Sequence, residues 1–169
     1  VLNKHPDPSR EDEDDLAGTF SSFSGPEPTI RAFLDSESEM LGLCSWLKNL
    51  ANHIPLHEIC IVSQDFLGHE RVRKALERET IDWHVIRGQV GDIAAASRVR
   101  LSTLDRIKGL EFSAFAIVGM GKLEQHGSML SVDDEIRGRN RLFVAMTRAK
   151  SELYVSYHGA PSKYLGVEA

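Results

Sequence analysis

The sequence predicts an α/β fold, a mostly parallel sheet with helices on both faces. Three observations predict it. The run Ile59–Val62 is short, β-branched and apolar at consecutive positions, as strands buried on both faces are, and Val99–Thr103 and Ala114–Val118 read as two more strands. Longer stretches between other strands carry apolar residues at helical spacing. Strands and helices alternate along the chain, the signature of a covered parallel sheet.

The elements follow in order. Thr29–Leu34 reads as a short strand. Ser36–Asn52 reads as a helix, with Ser36 as N-cap and Glu39 three residues later as its capping-box partner. Met40, Leu43, Leu47 and Leu50 form its apolar stripe. Phe66–Glu79 is a second helix, with Leu67, Val72 and Leu76 apolar between charged residues, and Trp83–Ile86 a further strand. Asp133–Ala149 reads as a helix whose first turn holds Asp133, Asp134 and Glu135, where carboxylates suit the helix dipole. Its run Leu142–Met146 is apolar on most faces and expected to be largely buried. Leu153–Tyr157 is a last strand, with a short tail beyond Pro161. Trp46 and Trp83 sit in apolar patterns without basic–aromatic interleaving, which marks them as core residues rather than base-stacking platforms.

The chain has 169 residues, 41% of them apolar, which suits one domain with a real core. Its net charge of -5 argues at first against a nucleic-acid partner. Located along the chain, the charge reads differently. Residues 1–28 carry Lys4 and Arg10 against seven acidic residues, so this acidic lead-in accounts for the whole imbalance and residues 29–169 are neutral. The lead-in, rich in Pro, Ser and Gly, is expected to be flexible. No apolar run is long enough to span a bilayer, and the start has no signal-peptide pattern, which points to a cytoplasmic protein. Cys44 and Cys60 lack metal or redox spacing and are expected to be reduced and buried. The seven His are scattered and suggest no metal cluster. Gly121-Lys122 is a decoy for a phosphate loop, because Leu123 follows it and Ala116 stands where the first glycine belongs.

Two segments carry chemistry. Ser102–Phe112 places Thr103, Asp105, Lys108 and Glu111 in a polar turn at a strand's carboxyl end, with Gly109 allowing close backbone approach. Arg139–Lys150 holds Arg141 and Arg148 on one helical stripe with Arg137. Arg148 follows the apolar run, so it is expected to be held stiffly and aimed at a neighbouring phosphate. Arg137, Arg139 and Lys150 read as surface charges.

Together the segments resemble superfamily 1 helicases of the UvrD/PcrA/Rep type. Thr103 with Lys108-Gly109-Leu110-Glu111-Phe112 looks like motif V, and Phe143-Val144-Ala145-Met146-Thr147-Arg148-Ala149 like motif VI. The resemblance covers about residues 25–165 and is tight over 102–119 and 138–157. It implies a RecA-like second motor domain over residues 29–169, in a protein whose ATP lies between two such domains. Arg148 would be the arginine finger and Glu111 the acid that meets the ribose hydroxyls. Gly109 is grouped with these nucleotide-side residues and would let a backbone pass close. Thr103, Lys108 and Asp105 would lie along the single-stranded DNA path. Asp105 stands where the family often has His, and only Arg87–Arg98 stand where the family inserts its 2B domain, so 2B would be absent or minimal.

The resemblance thus implies a C-terminal fragment of an ATP-dependent DNA helicase or translocase. ATP and Mg2+ would be bound mainly by the N-terminal motor domain of the same parent chain, and the fragment alone is expected to be inactive. The partners implied are single-stranded or tailed duplex DNA and that N-terminal domain, with no membrane. The alternative is a non-catalytic, degenerate helicase module that binds DNA or a protein.

Overall fold

The computed structural model describes residues 27–63, 66–86, 97–107, 109–121, 140 and 142–165. The acidic lead-in up to residue 26, the connection over 87–96, Lys108, and the first part of the helix expected from Asp133, with Arg137, Arg139 and Arg141, lie outside them. The strands are β1 (Thr29–Phe33), β2 (Ile59–Ser63), β3 (Trp83–Val85), β4 (Val99–Thr103), β5 (Phe112–Val118) and β6 (Ala149–His158). The helices are α1 (Ser36–Leu50) and α2 (Phe66–Arg78). A helical stretch over 142–146 precedes β6.

All six strands join one sheet in the order β1-β6-β5-β2-β4-β3, and every neighbouring pair is parallel. The predicted α/β class is therefore the observed one. Alternation sorts the sheet's side chains into two layers. Ile59, Ile61, Leu101, Ala114, Ala116 and Tyr154 pack with Met40, Leu43, Leu47 and Leu50 of α1 and Val72, Ala75 and Leu76 of α2. Cys60, Val62, Phe115, Ile117 and Val155 face the other way and pack with Ile107, Leu142 and Ala145. Each large aliphatic side chain buried here contributes about 1.5–3 kcal/mol through removal of apolar surface from water. Trp46 stacks on Tyr154 with ring centroids 4.9 Å apart, and both it and Trp83 pack against the first layer. Cys44 and Cys60 are buried and not joined in a disulfide. No helix among the described residues is long and apolar enough to cross a membrane.

Helix α1 starts as predicted but is capped by a different pair. Asp35 is the N-cap: its Oδ1 accepts from the Ser38 amide at 2.8 Å, and its own amide donates to Ser38 Oγ at 3.2 Å. The Ser38 bonds hold the Asp35 carboxyl below its usual 3.8. The box thus sits one residue earlier than Ser36 and Glu39 suggested. Asp is as good a cap as Ser, and the shift leaves Glu39 on the buried face. Helix α1 also approaches β1 closely, because a Cβ at Gly42 would collide with the Phe33 ring. In α2, Leu67 is exposed and Gly68 is buried, while Val72 and Leu76 fill the core as expected.

Candidate functional site

The chemistry-bearing segment after β4 crosses the sheet from one edge to the other. Thr103, exposed, ends β4 opposite Ser63, which also lies opposite Val118, so it stands on the carboxyl edge. Leu104–Arg106 makes one 3-10 turn. Ile107, with no exposed surface, anchors the middle of the connection in the second layer beside Cys60, Val62 and Phe115. Glu111 then stands on the amino edge, immediately before β5. Parallel neighbours demand this return, because each strand must start where the previous one started. The expectation that Glu111 lies with Thr103 at a strand's carboxyl end is thereby corrected: the two occupy opposite edges.

Gly109 has φ +82°, and a Cβ there would have nothing within 4 Å. The glycine serves a left-handed turn, and no other part of the protein crowds its Cβ position. Lys108 lies outside the described residues. Asp105 falls within the 3-10 turn, and its side chain lies outside what is described.

The amino edge gathers the second segment as well. The expected helix does not run to Ala149. The helical stretch ends at 146, Thr147 and Arg148 form a turn, and Ala149 already belongs to β6. Nor is Leu142–Met146 largely buried. Leu142 and Ala145 face the sheet, while Phe143 is 67% and Val144 36% exposed. A helix lying on one layer of a sheet buries only the residues three apart on one stripe.

Arg148 is therefore not stiffened by a buried run. It is held by hydrogen bonds. Its amide donates to Ala145 O at 3.0 Å, and its carbonyl accepts from the Phe112 amide at 2.9 Å. Its Nε donates to Val144 O at 2.9 Å, and its Nη2 to Thr147 Oγ1 at 3.3 Å. Thr147 Oγ1 in turn donates to Val144 O at 2.9 Å. A cation capping the last carbonyls of a helix is favourable there.

Glu111 lies on the same edge and pairs with Lys150 Nζ at 3.3 Å, both side chains more than half exposed. Such a pair is worth about 0–1 kcal/mol and is readily exchanged. Lys150, read from the sequence as an ordinary surface charge, is thus a neighbour of the site. The signal was its place two residues after Arg148, at the start of the last strand. Between the Phe112–Ala149 and Ala114–Glu152 pairs the register shifts, with one extra residue on β6. Phe112 packs in the layer of Phe115, ring centroids 6.0 Å apart, with the Arg100 guanidinium 6.0 Å from its ring centre. The edge thus presents a cation and a carboxylate on two adjoining strand starts, the first able to donate to anionic oxygens and the second to accept from hydroxyl groups. Among the described residues no group of three His, Cys, Asp or Glu side chains is placed to hold a metal ion.

One cluster went unread in the sequence. Glu39, 1% exposed, accepts from the Gly119 amide at 2.8 Å and Ser156 Oγ at 2.6 Å, with His158 Nδ1 2.5 Å from its other oxygen. It ties α1 to the carboxyl ends of β5 and β6, and its partners satisfy a carboxylate that burial alone would exclude.

The family profile of the UvrD-like helicase C-terminal domain matches residues 88–160, from before β4 to just past β6. Over that stretch this chain is similar to UvrD-like helicase C-terminal domains. Both chemistry-bearing segments of this chain fall inside the match. The ATP-dependent DNA helicase Rep of Buchnera aphidicola subsp. Schizaphis graminum (strain Sg) is 33% identical over 106 residues, covering 56% of this chain and 16% of that protein. The putative ATP-dependent DNA helicase YjcD of Bacillus subtilis (strain 168) is 29% identical over 161 residues, covering 81% of this chain and 19% of that protein. The chain therefore spans less than a fifth of the length of these two relatives. A crystal structure of the C-terminal domain of a possible DNA helicase from Lactobacillus plantarum WCFS1 superposes with a TM-score of 0.64 at 19% identity, covering 83% of this chain and 80% of that one. At that identity the likeness is one of fold.

Proposed function

We propose that this chain is the second motor domain of an ATP-dependent DNA helicase or translocase, and that its two sheet edges divide the work. The single observation that carries this reading is the placement of Arg148 and Glu111 on one edge with Thr103 on the other. Arg148 acts as the arginine finger. It neutralises charge that spreads over the transferring phosphoryl oxygens, an effect of about 10³–10⁵ in rate where such fingers have been measured. Glu111 accepts hydrogen bonds from the ribose hydroxyls after releasing Lys150, and Gly109 shapes the turn that delivers it. On the opposite edge Thr103, with Lys108 and Asp105 in the following connection, borders the strand of DNA. A hydroxyl and an ammonium suit the phosphate backbone, whereas Asp105 would repel it unless turned away.

ATP and Mg2+ supply the phosphoryl chemistry, and they are bound mainly by the N-terminal motor domain of the parent protein. This domain's own residues orient and neutralise. Closure of the two domains would carry Arg148 into the shared site, and opening would release it. The domain alone hydrolyses no ATP on this reading. The test is Arg148→Ala in the full-length protein, read as DNA-stimulated ATP hydrolysis. A loss of about 10³-fold or more is expected. A loss under about tenfold would sink the finger role, and a parent sequence without a phosphate loop upstream would point to a non-catalytic module instead.

A further inference from the structure

We infer that Thr147 is the positioning residue for Arg148: its hydroxyl locks one side of the guanidinium to the end of the helical stretch, so that the other side is presented outward. The inference rests on the reading of Arg148 given above and adds what sets its aim.

Main-chain bonds fix Arg148 from both sides, through its amide to Ala145 O and its carbonyl from the Phe112 amide. Only the side-chain torsions remain to place the charge. A long Arg side chain loses much of its rotamer freedom when it is held, so something must hold it. Two acceptors do so. Val144 O receives Nε, and Thr147 Oγ1 receives Nη2. Thr147 Oγ1 is itself oriented, because it donates its proton to the same Val144 carbonyl. That donation turns a lone pair of the hydroxyl toward Arg148. The result is a closed set of three hydrogen bonds among one carbonyl, one hydroxyl and one guanidinium.

The consequence lies in which N–H groups are used. The anchoring bonds occupy Nε and Nη2. Nη1 has no partner among the described residues and remains for an incoming oxyanion. The planar fork makes this division possible, since its donors point in fixed directions. A lysine could not be anchored on one side and offered on the other. Nearby Phe143 is 67% exposed and Val144 36%. Thr147 therefore governs how much of the time the finger stands in its productive geometry, and displacement of a charge-stabilising group by about 1 Å costs up to about 10²-fold in rate.

The experiment uses the full-length protein with Thr147→Val, Thr147→Ser, Arg148→Ala and the Thr147→Val/Arg148→Ala pair. Thr147→Val should lower kcat of DNA-stimulated ATP hydrolysis about tenfold, with KM for ATP and the thermal midpoint nearly unchanged. Thr147→Ser, which keeps the oxygen, should restore kcat to within about threefold of wild type. In the Arg148→Ala background Thr147→Val should change nothing further, since there is no guanidinium left to aim. Wild-type kcat for Thr147→Val beside a crippled Arg148→Ala would overturn this inference and leave the finger reading standing. So would a Thr147→Ser variant as slow as Thr147→Val, or a parallel change in kcat, KM and thermal midpoint, which marks a structural role. Near-normal hydrolysis by Arg148→Ala would remove the finger reading, and this inference with it.

Discussion

The amide of Phe112 donates to the carbonyl of Arg148 across 2.9 Å, and it does so at the first rung of the β5–β6 ladder. The bond joins the residue after Glu111 to the residue after Thr147. The main chains beneath the carboxylate and the guanidinium therefore move together or not at all. Phe112 itself is 4% exposed and wedged between the Phe115 ring and the Arg100 guanidinium, so its packing fixes the rung.

Replacing Phe112 by Ala removes that wedge. The expected cost is about 3–5 kcal/mol, the usual range for a buried aromatic truncated to a methyl. Urea unfolding followed by far-ultraviolet circular dichroism checks it. A loss below about 1 kcal/mol would show that the rung holds without its side chain.

Glu39 should matter more than its position near a helix start suggests. Glu39→Ala leaves the Gly119 amide, Ser156 Oγ and His158 without their shared acceptor, each worth about 1–3 kcal/mol when left unpaired in the interior. The expected loss is about 3–5 kcal/mol in total. His158→Ala should cost clearly less, because two donors to Glu39 survive. Equal losses in parallel urea titrations would contradict this ranking.

Gly42 and Gly109 should both resist Ala, for opposite reasons. At Gly42 the new methyl meets the Phe33 ring, so overpacking costs about 1–3 kcal/mol, and trimming Phe33 to Leu should recover much of it. At Gly109 there is room, but the φ of +82° costs an L residue about 1–2 kcal/mol. Asn should be tolerated better than Ala there. Four thermal melts distinguish the two cases, and recovery of Gly109→Ala by Phe33→Leu would refute the account.

Alkali should loosen the layer under α1. Burial pushes the Cys44 thiol from 9.0 up to about 11, and the Tyr154 hydroxyl from 10.0 up to about 12. Both folded values lie above the unfolded ones, so the stability tied to the neutral thiol is complete below about 9 and lost as pH rises through about 11. Cys44→Ala should flatten the fall in denaturant midpoint across that window. The native thiol should also resist alkylation at about pH 8. An unchanged alkaline slope in Cys44→Ala would count against this.

The strands were legible because burial on both sides leaves little choice of residue: Ile59–Val62 and Ala114–Val118 read as strands from their apolar runs alone. The ends of elements were not. Ala149–Ser151 begin β6 with small or charged residues, because that part of the strand is largely exposed and carries the register shift. Glu39 looked like a capping residue since its spacing from Ser36 fits a box, and only its tertiary partners explain why the chain turns it inward. The candidate site residues stood out by their local pattern, but their sorting to two edges did not, because it depends on one buried Ile in a polar connection. Thr147 carried no signal beyond its neighbour, since a hydroxyl bonded within one turn is invisible to periodicity.

An all-parallel sheet makes chain direction an address. Every strand begins on one rim and finishes on the other, so a residue's rank within its strand tells which rim it occupies before any contact is measured. For this protein the rule sorts a mutational survey in advance. Changes just ahead of β5 and β6 fall on the rim of Glu111 and Arg148, and changes just past β2, β4 and β5 fall on that of Thr103. Thr103 and Glu111, eight positions apart, therefore stand on opposite rims, while Phe112 and Arg148, 36 positions apart, stand on the same one.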